Sequence, residues 1–242
     1  MVFGLFSKER ALKRVIDKAT HKMAQHQDRW AAMEKLAKNG SDEALFALFK
    51  RFSFSYDKSV EDEQEKQWAV DTLVAKGEAV LAPMGRYMSQ ATSIAYPLEI
   101  LGRVAKRDRV LEVVDDLMER EEPGYARDPT KKQQLIDWLA EWKGGSDHDV
   151  ASRVAPYLAD FDEGVRFAAT EALSLRCDEV AAPALVGALI NPDEESGRLK
   201  VRIAEVLAEH DLPLGDHKSE IANLVKGALG GFQMKHDKLR KR

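Results

Sequence analysis

The side chains able to do chemistry are scattered along this chain. A catalytic metal needs several His, Cys or carboxylate ligands brought together, and a helical histidine pair achieves this at positions i and i+4. There are six histidines. His21 and His26 stand five apart and so face different sides of a helix. His148 lies between Asp147 and Asp149 in a polar stretch, and His210 and His217 straddle a break containing Pro213. No metal site is expected. The single cysteine, Cys177, is followed by Asp178 and Glu179, whose charges oppose thiolate formation and with it nucleophilic use. No GxGxxG, Walker-type loop or GxSxG elbow occurs, so neither a phosphate cradle nor a hydrolase serine is expected. One constellation supports an enzymatic alternative. Asp137, Trp138, Glu141 and Trp142 share a helical stretch preceded by Lys131 and Lys132, an aromatic and carboxylate set of the kind that can hold an extruded nucleotide.

The charge pattern argues against a nucleic-acid groove. The net charge is -4, but residues 8–22 carry six basic residues against Glu9 and Asp17, and residues 235–242 carry five against Asp237. With +4 at each end, the stretch between holds about -12, which repels phosphate backbones. The partner expected is therefore a protein, and the chain is expected to be a monomer. One cysteine allows no intrachain disulfide and suits a reducing compartment. The apolar patch Val2–Phe6 is cut off by Lys8, too early for a signal-peptide core, so a cytoplasmic setting is expected.

The elements that must position these residues read as helices. Apolar residues recur at spacings of three and four, and sustained two-residue alternation is absent. Boundaries are marked by Asn39-Gly40-Ser41-Asp42, by Pro129-Thr130 and by Gly144-Gly145-Ser146. About thirteen helices are predicted, separated by short polar breaks that suit antiparallel hairpins. An internal repeat then emerges. Val150, Val154, Ala155, Pro156 and Leu158 lead through Asp160 and Asp162 to Val165, Arg166, Ala168, Ala169, Ala172 and Leu173. Val180, Pro183, Leu185 and Leu189 lead through Asp193 to Val201, Arg202, Ala204 and Leu207. Fainter copies place Arg29 and Trp30, and then Gln67 and Trp68, in the register of Arg166 and Phe167.

The proline in the first helix, the acidic turn and the Val-Arg opening of the second helix resemble the HEAT-repeat family. The closest style is its short bacterial form, also seen in phycobilisome-lyase-like proteins. The resemblance is strong over residues 149–210, weaker over 23–142 and absent at the termini. It implies an all-α fold, an α/α superhelix or armadillo-like solenoid of about six hairpins. Residues 1–22 are expected to form an amphipathic capping helix, 23–230 one elongated solenoid, and 231–242 a basic, disordered tail. It also implies that Arg166 and Arg202 bond across neighbouring repeats, and that Trp30, Trp68 and Phe167 lie on the helices lining the concave face. Two HEAT-like enzymes serve as comparisons. The deoxyhypusine hydroxylases carry paired His-Glu dipeptides, and here no His precedes Glu. The alkylpurine DNA glycosylases use aromatics and a carboxylate in a basic groove, and this middle is acidic. The expected function is a non-catalytic scaffold or adaptor, with no cofactor. Its partner-binding candidates are Trp30, Trp68 and Phe167 and an acidic edge of Asp162, Glu163, Asp193 and Glu194. A peripheral membrane adaptor working through the basic N-terminal helix is the other alternative.

Overall fold

The computed structural model describes residues 2–242, with side chains from residue 9. The described residues form thirteen α-helices and one two-stranded sheet, so the chain is all-α in class. It divides into two compact units, residues 1–114 and 115–242, where one continuous domain was expected. The division falls inside α7 (Arg107–Arg120).

Unit 1 contains α1 (Val2–Thr20), α2 (His26–Asn39), α3 (Asp42–Phe49), α4 (Ser59–Ala75), α5 (Leu81–Gln90) and α6 (Ala95–Val104). The α2–α3 turn is dictated locally. Gly40 adopts φ +63°, which costs a glycine nothing, and ends α2; Ser41 then accepts a hydrogen bond from the Ala44 amide and starts α3. Helix α2 packs on α1, α3 and α4, and α4 in turn packs on α6. The core holds Met33, Leu36, Leu48, Phe49, Leu73 and Leu98, all buried. Helix α1 lies on α2 and α3, with Leu12, Val15 and Ile16 half-buried and Ala19 buried at helical spacing. The side chains of Val2 to Lys8 lie outside the described residues.

Tyr87, only 4% exposed, stacks on Phe49 at 5.8 Å, but its hydroxyl has no hydrogen-bond partner. Burial pushes this phenol up to about 12. An unsatisfied buried hydroxyl loses its hydration for nothing. Tyr87→Phe is therefore expected to raise stability by about 1 kcal/mol, and a lowered melting temperature would show that the hydroxyl is satisfied in solution.

Unit 2 contains α8 (Thr130–Glu141), α9 (Asp147–Val154), α10 (Glu163–Leu175), α11 (Ala182–Ile190), α12 (Gly197–Glu209) and α13 (Lys218–Lys226), then β1 (Phe232–Lys235) and β2 (Lys238–Lys241). Helices α8, α10 and α12 pack in succession, and the 3-10 turn at 155–159, which continues α9, packs on α11. Ser146 and Asp149 form a reciprocal capping box at α9. Behind it, Trp142 lies flat over Gly144 and Gly145, where an added Cβ would stand 2.7 and 2.5 Å from the indole. Arg176 closes this corner by donating to the Trp142 and Gly145 carbonyls and to Asp147.

The C-terminal segment is a β-hairpin, not the disordered tail expected. Phe232 pairs with Lys241 and Met234 with Leu239, and His236 turns the chain with φ +60°. Leu239 and Phe232 are buried at the hairpin's inner face. Its cations find specific partners: Lys238 and Arg240 pair with Asp211, and Lys241 pairs with Glu205. The hydrogen bond from Lys241 holds the Glu205 carboxyl below its ordinary value, outweighing the opposing effect of burial.

Candidate functional site

The strongest site-forming feature is an arginine used in the same way in both units. In unit 2, Arg166, on the first turns of α10, donates from Nη1 to the Asp160 and Phe161 carbonyls of the preceding loop, at 2.9 and 3.0 Å. Its Nε and Nη2 grip Glu194, in the loop before α12, at 2.8 and 3.2 Å. In unit 1, Arg29 on α2 donates from Nη1 to the Ala24 carbonyl at 2.8 Å and from Nε to Glu65 of α4 at 2.7 Å. Each arginine fastens its own loop to the following hairpin through one carboxylate, with the guanidinium geometry suited to both acceptors.

Around Arg166 opens a cavity of about 840 Å³, lined by residues 158–161, 163, 191 and 193–196. The acidic candidates gather here with unequal roles. Asp162 caps α10 by accepting from the Val165 amide. Glu194 is buried and committed to Arg166 and the Ser196 amide. Neither is free to meet a partner. Glu163, Asp193 and Glu195 are exposed. Asp193 does not cap the next helix as Asp162 caps α10; Ser196 takes that role, accepting from the Leu199 amide. Two further acidic stretches are helical rather than loop: Glu61, Asp62 and Glu63 lie within α4, and Glu119 lies within α7.

Sequence reasoning passed over the aromatic pair beside this cavity. Tyr125 and Phe161 are 77% and 70% exposed and meet edge to face at 5.4 Å. Their loops are held rigidly. Lys132, buried in α8, pairs with the wholly buried Asp160 at 2.7 Å and donates to the Gly124 carbonyl at 2.7 Å. Asp160 also accepts from the Gly124 and Asp162 amides. The Tyr157 hydroxyl donates to the Glu121 carbonyl, and burial drives that phenol well above its ordinary value. The long link after α7 is thus pinned at Glu121 and Gly124.

Arg202 bonds differently from Arg166. It reaches back from α12 to Glu171 and Ser174 of α10 and also contacts Glu205 on its own helix. Trp30 and Trp68 meet at 5.4 Å, half-buried, where α2 packs on α4. Phe167 is half-buried beneath the Arg198 guanidinium at 4.6 Å.

Unit 1 also holds an ion cluster that the sequence reading missed. The Glu65 carboxylate, wholly buried, accepts from Arg29, Arg51 and His26 at 2.6–2.7 Å. Arg51 also donates to Asp62, which pairs in turn with Lys66. Burial alone would raise the Glu65 and Asp62 carboxyls; the hydrogen bonds from Arg29, Arg51, His26 and Lys66 outweigh it and hold both below their ordinary values.

Asp137, Trp138 and Glu141 lie on α8, with Trp142 at its end. Trp138 and Trp142 stack at 5.5 Å, but Trp142 is buried against the Gly144–Gly145 backbone. The Cys177 thiol is pushed up to about 11 by burial and by the charges of Asp178 and Asp147. Among the described residues no group of three or more His, Cys, Asp or Glu is placed to hold a metal, and no helix is long and apolar enough to cross a membrane. Comparison of the chain with family models, curated proteins and solved structures finds no match.

Proposed function

We propose that this chain is a HEAT-type α-solenoid that works as a non-catalytic interaction scaffold, taking a basic polypeptide segment at the unit 2 cavity. The repeat reading is supported by the matching bonds of Arg29 and Arg166 and by the successive packing of α8, α10 and α12. The observation that carries the functional reading is the Tyr125–Phe161 pair, exposed and rigidly mounted beside Glu163, Asp193 and Glu195. Exposed aromatics on an ordered loop supply contact area at little entropic cost, and the surrounding carboxylates complement Lys and Arg. The same carboxylates repel phosphate, which favours a protein partner over a nucleic acid.

The test is comparative capture by the wild-type chain and a Tyr125→Ser, Phe161→Ser double variant. Both residues are exposed, so the melting temperature is expected to stay within the range of ordinary surface changes, about 0.5 kcal/mol. Recovery of cross-linked partners is expected to fall about tenfold or more, as loss of an aromatic hot spot does. Equal recovery by the folded double variant overturns this reading.

A further inference from the structure

Among the described residues, three buried side-chain polar atoms lack a hydrogen-bond partner, and two of them belong to residues that line the same unit 1 cavity: Tyr56 Oη and Glu61 Oε2. The cavity, of about 400 Å³, lies between the α1–α2 loop and the start of α4, around Arg29. It is the unit 1 counterpart of the cavity around Arg166.

A third polar group on its wall is defined by the ion cluster. Glu65 is ionised and can only accept, so the 2.7 Å contact with His26 places a proton on Nδ1. The second ring nitrogen, Nε2, takes no part in this contact. That nitrogen makes no hydrogen bond to the protein and is not among the buried unpartnered atoms, so it stands open to solvent. The ring is held in place by Glu65 and by Trp30 at 5.5 Å. Tyr56 is fixed as well, its ring stacked on the Arg29 guanidinium at 4.2 Å.

We infer that this cavity binds a cationic nitrogen group, a guanidinium or primary ammonium, with Glu61 Oε2 as counter-ion and Tyr56 Oη as a further acceptor. Glu61 Oε2 can be satisfied only by a donor, and a charged N–H is the strongest donor available to it. The cations already present do not fill that role. Arg29 is committed to Glu65, and Lys58 contacts the other Glu61 oxygen at 3.4 Å. Lys22 and the positive end of α2 act against a cation, which sets the affinity in the weak range and gives the assignment a distinctive signature: removal of Lys22 strengthens binding. The group can belong to a free amine or to an arginine side chain of a polypeptide, and the shared chemistry is the same.

The experiment is a titration of the full chain, followed by tryptophan fluorescence, to which Trp30 contributes, and by amide chemical shifts. The probes are agmatine, an acetylated and amidated Gly-Arg-Gly peptide, and the same peptide with citrulline in place of arginine. Saturable binding of agmatine or the arginine peptide, with the citrulline peptide at least about tenfold weaker, is the expected result; agmatine alone identifies a free amine, the peptide alone a polypeptide source. Glu61→Gln is expected to weaken binding about tenfold, Tyr56→Phe several-fold, and Lys22→Ala to tighten it. Glu61 is half-buried and Lys22 exposed, and circular dichroism checks the fold of each variant. The assignment is overturned by no saturation at millimolar probe, by equal binding of citrulline, or by unchanged binding in folded Glu61→Gln and Tyr56→Phe.

Discussion

Replacing Glu65 with alanine is expected to destabilise unit 1 by about 3–5 kcal/mol, the cost of leaving buried cations without their counter-charge. Arg29 and Arg51 share this carboxylate with both guanidinium groups about 1% exposed. Arg51 keeps Asp62, but Arg29 is left with loop carbonyls and the Tyr56 ring. Glu65→Gln should cost less, because the amide oxygen still accepts from one guanidinium. Urea melts of both variants decide the matter, and a loss under about 1 kcal/mol for the alanine variant would place the cluster with weak exposed pairs. The same carboxylates make unit 1 sensitive to acid. Their folded values lie below the ordinary 4.5 of Glu65 and 3.8 of Asp62. The stabilisation they give is complete above those ordinary values and is lost as pH falls through the lower folded ones. Stability measured from pH 6 downward should therefore fall below about pH 4.5, more steeply in the wild type than in Glu65→Gln.

The second large effect is expected at Asp160. Asp160→Ala strands the buried Lys132 ammonium with the Gly124 carbonyl alone and also frees the Gly124 and Asp162 amides. A loss of about 3–5 kcal/mol is expected. Lys132→Met should be milder, because Asp160 retains two backbone donors that stabilise its charge. The difference is local as well as global. With Asp160 gone, the 121–129 link loses an anchor, and trypsin should cut at Arg127 under conditions that leave the wild type whole. Equal losses for the two variants, or no new cleavage, would show that the ion pair does not hold this link.

These two clusters were the least legible parts of the sequence. Arg29 and Glu65 are 36 residues apart, and Lys132 and Asp160 are 28 apart. Each is a charge on an amphipathic helix or in a polar loop, and such residues read as a solvated face. Local signals carried over well. Gly40, Ser41, Pro129 and Ser146 mark boundaries because the partner of a cap lies within about four residues. Asp193 does not cap α12 for the same reason: Ser196, three residues on, directly precedes the helix. The C-terminal hairpin escaped because four-residue strands give almost no alternation, and only Leu239 marks the inner face of β2. Its cations looked like solubilising charge until Glu205 and Asp211 were placed beneath them. Tyr125 and Phe161, the core of the proposed docking surface, lie in loops where periodicity has nothing to measure.

The tryptophans give each unit an optical signature of its own. All four occur in pairs, Trp30 with Trp68 at 5.4 Å in unit 1 and Trp138 with Trp142 at 5.5 Å in unit 2. Indoles this close couple their electronic transitions, and the coupling vanishes when either partner moves away. The first pair is tilted by 47° and the second nearly parallel at 16°, so the two couplets should differ in intensity in the ultraviolet circular dichroism spectrum. A single Trp→Phe change in one pair silences that unit and leaves the other reporting. Melting of the two halves of this chain can thus be followed separately without adding a dye.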